Sequence, residues 1–398
     1  MNNPVNDCRL LIDGKEYGGW TRLEVQRGIE QIAGGFVLQL TQRYPGDGGG
    51  AVGALPPLQL REGLPCQVYL GADLVIGGYV DDYETDDTAT SAQVRLSGRD
   101  KTADLVDCSA IYKTGQWRGA KLEKIVADIC APFKITVLVA PGTNTGDVFK
   151  RYALEEGEKA FDAIDRACRL RAVLVTSTPA GELLICTAGT TDSGVALIEG
   201  VNMLKFNSRH SWKERHSEVT LKGQVPGDDH ENGAAAAHLK ASGQDAEINR
   251  YRPLVVMAEH GTSTKALADR AAWEVKVRMG RGKRGGCTVV GWRTGKDGQE
   301  GALWQPNTLV QVTSPRMNID RRLLIVSCSY QLTEQGRVCD LTFARPEAFA
   351  LVEGVGRSKL NAKLNDKTQK EKKKKGDGFT PSWELTPPNP RDLRGSER

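Results

Sequence analysis

Short strands separated by turns dominate the pattern of apolar and polar residues at the start of the chain. FVLQLTQRY (36–44) alternates, RLLIDGKEY (9–17) has extended flanks around an Asp-Gly turn, and CQVYLGADLVIGGYVDDY (66–83) reads as a hairpin around Gly71-Ala72-Asp73. AQVRLSG adds one more strand. We therefore predict that residues 1–100 form a small antiparallel β-barrel or sandwich, with a Gly- and Pro-rich excursion at 44–57.

The period then changes from that of strands to that of helices. In KLEKIVADICAPF the apolar residues Leu122, Ile125, Val126 and Ile129 follow the i, i+3, i+4, i+7 spacing of an amphipathic helix. EKAFDAIDRACRLR predicts a second helix, which leads into the hairpin AVLVTSTPAGELLICTAG. Residues 101–204 are therefore predicted to be a mixed α+β domain.

Strand patterns return after about residue 205. The predicted strands are SEVTLKGQV, RPLVVMAE, CTVVGWRT, NTLVQVTS, RRLLIVSCSYQLTE and RVCDLTFARP, with one helix, TKALADRAAWEVKVRM, between them. The segment at 226–247 shows no periodicity and is predicted to be a loop. Residues 205–350 are thus a second β domain, and 351–398 a polar, largely disordered tail whose apolar anchors are Phe379 and Trp383.

Composition limits the function classes without choosing among them. The chain has 398 residues, 39% of them apolar and 26% charged, and its net charge of +4 does not by itself indicate nucleic-acid binding. No segment approaches the roughly 20 apolar residues of a membrane span, and the N-terminus lacks the pattern of a secretory signal, so we expect folding in the cytoplasm and no membrane insertion. Nine isolated cysteines without CxxC pairs are predicted to be buried, reduced thiols.

Two glycine-rich strings resemble nucleotide-binding motifs but lie in the wrong context. GRGKRG, with Gly280, Gly282 and Gly285, fits G-x-G-x-x-G, yet it follows a predicted helix and precedes a strand, which is the reverse of the dinucleotide-binding order. GWRTGKDG is too short for a phosphate loop and has Asp297 where Ser or Thr would bind magnesium. We interpret the first as a solvated connection and the second as a hairpin turn.

Other polar clusters also fail to predict a catalytic or metal site. Candidate metal ligands are Asp228, Asp229, His230 and Glu231 in the predicted loop, and Asp81, Asp82, Glu84, Asp86 and Asp87, which we interpret as exposed turn residues at a hairpin end. The histidines at 210, 216, 230, 238 and 260 have no metal-ligand spacing, and no G-x-S-x-G elbow is present. We assign no catalytic, cofactor-binding or metal-binding residue.

The densest charge lies at 97–117, SGRDKTADLVDCSAIYKTGQW. Arg99, Asp100, Lys101, Asp104 and Asp107 surround a short apolar stripe of Ala103, Leu105 and Val106, and Trp117 ends the segment. We predict about two helical turns from Lys101 to Asp107. Because paired charges at a domain boundary fix its angle, we interpret the segment as an ordered joint and not as a catalytic site.

This segment also carries a family resemblance. GRDKTADLVDCSAIYKTGQW, continued by LEKIVADICAPFKITV, resembles the baseplate hub protein of Mu-like contractile-tailed bacteriophages. Further similar segments follow in the same order: RACRLRAVLVTSTPAGELL (166–184), NRYRPLVVMAE (249–259), GALWQPNTLVQV (301–312), RPEAF (345–349) and TPSWE (380–384). The resemblance covers essentially the full chain, while the segments at 44–57 and 226–247 are less similar.

The resemblance implies a structural protein of the virion tail baseplate. It implies two tail-tube-like β-barrel domains with an inserted α+β domain, assembling as a homotrimer into a pseudo-sixfold ring. Such a ring joins the sixfold tail tube to the threefold central spike and leaves a channel through which DNA passes without sequence-specific binding. We expect the pore not to be strongly basic, so that Arg278, Arg281, Lys283 and Arg284 face outward or toward a protein neighbour.

Three alternatives stay open at the level of sequence. A tail-associated enzyme that degrades the cell wall leaves no local signature if its catalytic groups assemble across the fold. A DNA-binding protein is suggested only by the Lys-rich tract at 367–375, and its affinity would fall steeply with salt. The equivalent adaptor of a tailocin or a secretion system would share the fold and the mechanism.

Overall fold

The computed structural model of the chain describes residues 7–43, 60–87, 91–171, 173–189, 191–223, 239–257, 264–334 and 336–349. Within these ranges the protein is rich in strands and has few helices, so the predicted β-rich α+β class is confirmed. None of the helices in these ranges is long and apolar enough to cross a membrane. The excursion at 44–57 and the tail at 351–398, with Phe379 and Trp383, lie outside the described residues.

The described part of the first hundred residues contains strands and no helix. These are Cys8–Ile12 (β1), Lys15–Tyr17 (β2), Arg22–Gly28 (β3), Gly35–Arg43 (β4), Pro65–Leu70 (β5), Asp73–Asp87 (β6) and Ser91–Asp100 (β7). Asp13 and Gly14 between β1 and β2 have φ values of 49° and 74°, the left-handed geometry of a tight hairpin turn. Gly71, with φ of 66°, turns β5 into β6. Both predicted hairpins are confirmed.

The next segment mixes helices with short strands. Its elements are Ala103–Asp107 (α1), Gln116–Ala120 (β8), Leu122–Cys130 (α2), Val137–Val139 (β9), Phe149–Ala153 (β10), Ala160–Leu170 (α3), Leu174–Ser177 (β11) and Leu183–Cys186 (β12). Helix α2 buries Leu122, Ile125, Val126 and Ile129, the four positions of the predicted stripe, in a core shared with α3.

The last segment returns to strands around one long helix. Its elements are Thr191–Ile198 (β13), Lys205–His210 (β14), Glu218–Gly223 (β15), Leu239–Gln244 (β16), Pro253–Met257 (β17), Thr264–Arg281 (α4), Lys283–Val290 (β18), Thr308–Ser314 (β19), Ile319–Thr333 (β20) and Gly336–Ala344 (β21). A 3₁₀ turn, Pro346–Phe349, follows β21.

One large sheet unites strands from both ends of the chain. Its order is β14-β18-β21-β20-β3-β4-β7-β6-β5-β1-β2, and β19 pairs with β20 and β13. The central step is the antiparallel pairing of β20 with β3, which we call the seam. Strand pairing among the described residues closes neither predicted barrel, because the strands of both continue into each other at the seam.

Three strands of the last segment leave the large sheet and form a small one. Its order is β16-β15-β17, and α4 covers the face that carries Val219 and Leu221. The prediction of a loop over 226–247 is wrong for its second half, because β16 spans Leu239–Gln244. Residues 224–238 lie outside the described part. Short polar side chains hide this strand in the sequence, and Gly243 marks where its backbone approaches α4: a Cβ there would lie 2.8 Å from the carbonyl oxygen of Ala271.

The α+β segment packs across the seam. Leu174 of β11 contacts a small core formed by Ile29 after β3, Leu324 and Val326 of β20, and Phe349 of the 3₁₀ turn. Arg27 at the end of β3 also donates a hydrogen bond to the carbonyl oxygen of Ser177, at 2.7 Å. The α+β segment therefore contacts both halves of the large sheet where they meet.

Candidate functional site

A buried carboxylate lies at the centre of the charged segment. Asp100 is 1% exposed and accepts four hydrogen bonds: Oδ2 from the Gly34 amide at 2.7 Å and the Ser177 hydroxyl at 2.6 Å, and Oδ1 from the Thr102 amide at 2.9 Å and the Thr102 hydroxyl. We call these residues, Gly34, Asp100, Thr102 and Ser177, the Asp100 joint. Burial raises the pKa of Asp100, and the four donors oppose that rise.

The Asp100 joint connects three parts of the chain. Gly34 precedes β4, Thr102 lies at the start of α1, and Ser177 ends β11 of the α+β segment. The backbones also approach closely here: a Cβ on Gly77 would lie 3.1 Å from the carbonyl oxygen of Ala180. A carboxylate that collects donors from separate elements fixes their relative position, which agrees with the predicted role of an ordered joint.

The neighbouring charges pair at the surface of this joint. Arg99 contacts Asp81 of β6 at 2.5 Å and Asp107 of α1 at 2.7 Å, and hydrogen bonds to Asp107 and Asp81 raise its pKa further. Asp104 lies in the same cluster, where burial and the charge of Asp107 raise its pKa. The backbone amide of Lys101 donates a hydrogen bond to the carbonyl oxygen of Gly77, and α1 is shorter than the two turns predicted from Lys101, because it begins only at Ala103.

Trp117 belongs to the core of the α+β segment. It lies in β8, is 5% exposed, stacks on Tyr112 with ring centroids 4.1 Å apart, and donates its indole N–H to Asp128 at 2.9 Å. Trp117 therefore packs in the core of the α+β segment.

The large sheet has a second feature with functional meaning, a wide polar surface. Along β3, Leu23 and Val25 are buried while Arg22, Glu24 and Gln26 are exposed. The neighbouring strands continue this alternation, so one face packs on the main core and the other, which we call the polar face, carries hydrophilic side chains of β14, β18, β21, β20, β3, β4, β7 and β6.

Hydrogen bonds tie the polar face together across the seam. Ser329 of β20 donates to Glu24 of β3 at 3.0 Å, and Gln331 donates to Ser329 and to Asp340 of β21, each at 3.1 Å. Thr288 of β18 donates to the same Asp340. The polar face is therefore continuous from one predicted β domain to the other.

The charges on the polar face nearly balance. The described basic side chains are Arg22, Arg95, Arg99, Lys205, Arg209 and Arg284, and the acidic ones are Glu24, Asp82, Glu84, Asp86 and Asp340. Asp81 pairs with Arg99 and Glu30 with Arg284, so acidic groups still offset the basic ones, and this surface lacks the basic character that binds DNA phosphates tightly.

A second buried ionic site joins the small sheet to β18. Arg215 is 1% exposed and holds Asp245 through two nitrogens at 2.7–2.9 Å, while Glu247 bridges Arg215 at 2.9 Å and Lys283 at 2.7 Å. We call these four residues the Arg215 cluster. Lys283 and then Arg215 lower the pKa of Glu247 to about 2. Sequence inspection missed this cluster, because its acids lie in the segment that was predicted to be a loop.

The glycine string at 280–285 is a packing site, which corrects its interpretation as a solvated connection, because Gly280 and Gly282 are buried. Helix α4 precedes it and β18 follows, so the order that argued against a nucleotide fingerprint is confirmed. A Cβ on Gly280 would lie 2.4 Å from Ala348, and one on Gly282 would lie 2.6 Å from the carbonyl oxygen of Ser211. Glycine is required here for close approach of backbones, and GWRTGKDG forms the predicted hairpin turn, with Asp297 at a φ of 58°.

The basic residues beside this string mostly contact acids of the same chain. Arg278 pairs with Glu274 at 3.2 Å, Lys283 with Glu247, and Arg284 with Glu30, while Arg281 is exposed. Whether they face outward or toward a protein neighbour in an assembly stays a prediction.

The predicted metal-ligand candidates do not converge in the part of the chain that the structure describes. The acids at 81–87 lie in β6 and not in a turn, which corrects their interpretation; Asp81 pairs with Arg99, Asp82 accepts from Ser97, and the side chain of Asp87 is not described. No group of three His, Cys, Asp or Glu among the described residues could hold a metal ion. Asp228, Asp229, His230, Glu231, His238 and His260 lie outside those residues.

The histidines at 210 and 216 are separate from each other. His210 ends β14 at the surface, whereas His216 is half-buried, and burial followed by the charges of Arg278 and Arg252 lowers its pKa. All nine cysteines are free and eight are buried, but Cys108 is exposed, so the prediction of buried thiols is wrong for that residue alone.

Family models match almost the whole described chain. They are described as Mu phage baseplate assembly protein GpP-like, N-terminal (residues 7–100), baseplate hub protein gp44-like, second domain (102–187), tail protein NMB1110-like, third domain (215–273), and Mu phage baseplate assembly protein GpP, fourth domain (263–352).

Individual relatives agree with these models. The baseplate hub protein gp44 of Escherichia phage Mu is 34% identical over 328 residues, which cover 81% of this chain and 83% of that protein. The 43 kDa tail protein of prophage MuSo2 from Shewanella oneidensis has a TM-score of 0.76 at 35% identity, over 87% of this chain and 99% of that one. The tail protein from Neisseria meningitidis MC58 shares the fold, with a TM-score of 0.72 at 22% identity over 86% and 98% of the two chains. The chain therefore belongs to the baseplate hub protein family of Mu-like phages.

Proposed function

We propose that this protein is a structural hub of a contractile-tail baseplate, in which three copies form a closed, pseudo-sixfold ring. The observation that carries this proposal is the polar face, which runs without interruption through strands of both β domains, in a chain of the baseplate hub family. Each β domain then supplies one tail-tube-like unit, and the ring completes the barrels that strand pairing within one chain leaves open. In a closed ring each heterologous contact repeats in every copy, which stabilises the assembly.

The polar face lines the central channel in this proposal. Its side chains are hydrophilic, its charges nearly balance, and hydrogen bonds hold many of them in place. A channel of this kind lets DNA slide past, since rings of unpaired Lys or Arg would retain phosphates by counterion release. The α+β segment, fixed by the Asp100 joint, then packs across one end of the seam and keeps the two halves of the sheet at a constant angle.

The partners follow from this role. The ring joins the sixfold tail tube to the threefold central spike, contacts other baseplate proteins, assembles in the host cytoplasm and remains in the virion. It needs no cofactor and no catalytic residue. The relatives are named as baseplate hub and tail proteins, which supports a structural role.

The first test is the solution mass of the purified full chain, with negative-stain images of the same peak. A trimer with a central hole is the expected result. A compact monomer that also clears purified peptidoglycan would replace the hub by a cell-wall-degrading enzyme. Affinity for DNA that falls steeply with salt would instead indicate a DNA-binding protein.

A second part of the proposal concerns the tail at 357–398. We propose that Phe379 and Trp383 bind another baseplate component while the Lys-rich tract acts as a tether, since buried aromatic residues often dominate such contacts. Deleting 357–398 should lower incorporation into particles and leave the ring folded. Normal infectivity of particles carrying the deletion would contradict this role.

A further inference from the structure

The two β domains repeat the same arrangement of strands. The order β5-β6-β7-β4-β3 in the first corresponds to β19-β20-β21-β18-β14 in the second. The long strands β6 and β20 have the same irregularity at the same place: the register with the next strand shifts between Val80 and Asp82 in β6, and between Ile325 and Ser327 in β20. A shared bulge makes the two hairpins equivalent position by position.

The repeat defines which residues correspond. Glu84 pairs with Arg95 in the first hairpin, and Ser329 pairs with Asp340 at the same step in the second. At the outer strands, Gln26 of β3 corresponds to Arg209 of β14. Two successive strand pairings lead from Gln26 to β7, two lead from Arg209 to β21, and the positions reached on β7 and β21 are equivalent.

The two repeats differ in what covers them. The second half of β20 pairs with β3, and that pairing is the seam. The second half of β6, beyond Val80, pairs with β7 only, and β14 pairs with β18 only, as far as the described residues extend. The chain therefore has two open strand edges. The second half of β6 is equivalent to the edge that β20 contributes to the seam, and β14 is equivalent to the edge that β3 contributes.

We propose that the second half of β6 in one copy pairs with β14 of the next copy in the register of the seam. This contact rests on the ring of the proposed function and names the surface that closes it. Junctions within copies would then alternate with equivalent junctions between copies, which is how one chain with two similar domains builds a pseudo-sixfold ring.

The seam register predicts the facing residues. Ser329 faces Gln26 and Gln331 faces Glu24 in the seam, so Glu84 is expected to face Arg209 of the neighbouring copy, and Asp86 to face Asn207. An opposite-charge pair directly across two strands is favourable.

Charge along the two edges is complementary. Asp82, Glu84 and Asp86 are exposed on β6, and Lys205 and Arg209 are exposed on β14. Neither Lys205 nor Arg209 has an ion-pair partner within the described ranges, whereas Glu84 has only a loose contact of 3.8 Å with Arg95. A second copy supplies partners for both edges.

An exposed aromatic residue next to β14 agrees with this contact. Ile29, the residue after β3, is 7% exposed because the seam covers it. The residue at the corresponding position after β14 is Trp212, which is 41% exposed. We expect the neighbouring copy to cover Trp212 in the same way.

Charge exchange in the full-length protein tests the contact. Arg209→Glu alone, or Glu84→Arg alone, places like charges opposite each other and should raise the concentration for half-maximal trimer assembly by about tenfold or more. The double variant R209E/E84R restores an opposite pair and should recover most of the lost assembly. Arg22→Glu is the matched control, because Arg22 lies on the polar face at the position of β3 that corresponds to Lys205, away from either open edge.

Disulfide trapping tests the register. In a Cys108→Ser background, which removes the exposed thiol, the pair Glu84→Cys and Arg209→Cys should give covalent dimers and trimers on a non-reducing gel. Glu84→Cys with Ser208→Cys should stay monomeric, because a shift of one residue turns the side chain to the opposite face.

The outcomes separate this contact from the hub proposal. Rescue by the double variant together with cross-linking of the first pair supports it. If the wild-type chain forms a trimer, both charge reversals leave its assembly unchanged and no cross-link forms, the proposed contact is wrong. The hub ring would then be closed by a different surface. A wild-type chain that stays monomeric contradicts the ring and this contact together.

Discussion

The two buried ionic sites, the Asp100 joint and the Arg215 cluster, use opposite means to hold a charge inside the protein. Asp100 accepts hydrogen bonds from amides and hydroxyls only, whereas Arg215 is held by two carboxylates. Neutral donors satisfy the oxygens of Asp100 but leave its charge desolvated, so its pKa rises. In the Arg215 cluster the cations lower the pKa of Glu247 to about 2.

This difference gives the two sites opposite responses to pH. A carboxyl whose folded pKa is raised contributes stability that is present below its unfolded pKa and is lost as pH rises through the folded value. A carboxyl whose folded pKa is lowered contributes stability that is present above the unfolded value and is lost as pH falls through the folded one. The contribution of Asp100 to the stability of the protein should therefore be largest in acid, where that of the Arg215 cluster should be smallest.

The largest expected effect comes from removing one partner of the Arg215 cluster. Asp245→Ala leaves the Arg215 guanidinium buried beside the exposed Glu247 alone, which should lower the free energy of unfolding by about 3–5 kcal/mol. Urea unfolding of the full chain measures it. Glu247→Gln, at a side chain that is 47% exposed, is the control and should cost less than about 1 kcal/mol. Equal losses for both variants would show that Asp245 does not balance a buried charge.

Removing the carboxylate of the Asp100 joint should lower the free energy of unfolding somewhat less. Asp100→Ala leaves the amides of Gly34 and Thr102 without their acceptor, and orphaned buried donors cost about 1–3 kcal/mol each. The hydroxyls can rotate to other acceptors, so we expect a loss of about 3 kcal/mol in urea unfolding. Ser177→Ala, which removes a single donor, should cost about 1 kcal/mol. A cost for Asp100→Ala no larger than for Ser177→Ala would contradict the joint.

The two sites also differ in how closely a neighbouring backbone approaches a glycine. A Cβ on Gly243, in the small sheet beside the Arg215 cluster, would lie 2.8 Å from a backbone oxygen, whereas one on Gly77 at the Asp100 joint would lie 3.1 Å away. Gly243→Ala should therefore cost about 2 kcal/mol and Gly77→Ala about 1 kcal/mol, measured by thermal unfolding. Gly18→Ala, where the nearest atom is 3.9 Å away, should be close to neutral. A larger loss for Gly77→Ala than for Gly243→Ala would mean that the small sheet accommodates the added methyl group more easily than the Asp100 joint does.

The smallest effect is the opposite pH dependence itself. The stability difference between wild type and Glu247→Gln should shrink as pH falls from above 4.5 toward 2, and the difference between wild type and Asp100→Asn should shrink as pH rises above 3.8. Urea unfolding of the three proteins across this range measures both. If both stability differences changed in the same direction with pH, the proposed contrast between the two sites would be wrong.

Much of the fold was readable from local pattern. The turn at Asp13 and Gly14, the stripe of α2 and the order of α4 before the glycine string were all predicted correctly, because turn geometry and helical period depend on residues close in sequence. The interpretation of 97–117 as a joint also agrees with the structure, since its charges lie next to the strands and helix that they connect.

Three of the errors share one cause. Strand β16, the acidic half of β6 and the Arg215 cluster consist of residues whose composition is typical of loops. Their conformation depends on partners far away in the chain: β16 on β15 and α4, and β6 on β7. Strand β16 places Leu239, Ala241 and Gly243 on its inner side, and a single large apolar residue is too weak a hydrophobic period to predict a strand.

The sequence by itself determined the class of the fold, the main hairpins and helices, and the family, because these follow from short-range periodicity and from long shared segments. Only the tertiary structure decided that β3 and β20 unite both β domains in one sheet, that Asp100 and Arg215 are buried, and which strand edges stay open. Those features depend on contacts between residues far apart in the sequence, 305 positions for Glu24 and Ser329 at the seam, 77 for Asp100 and Ser177, and 30 for Arg215 and Asp245. Local patterns do not specify such contacts, because backbone pairing carries no side-chain signature.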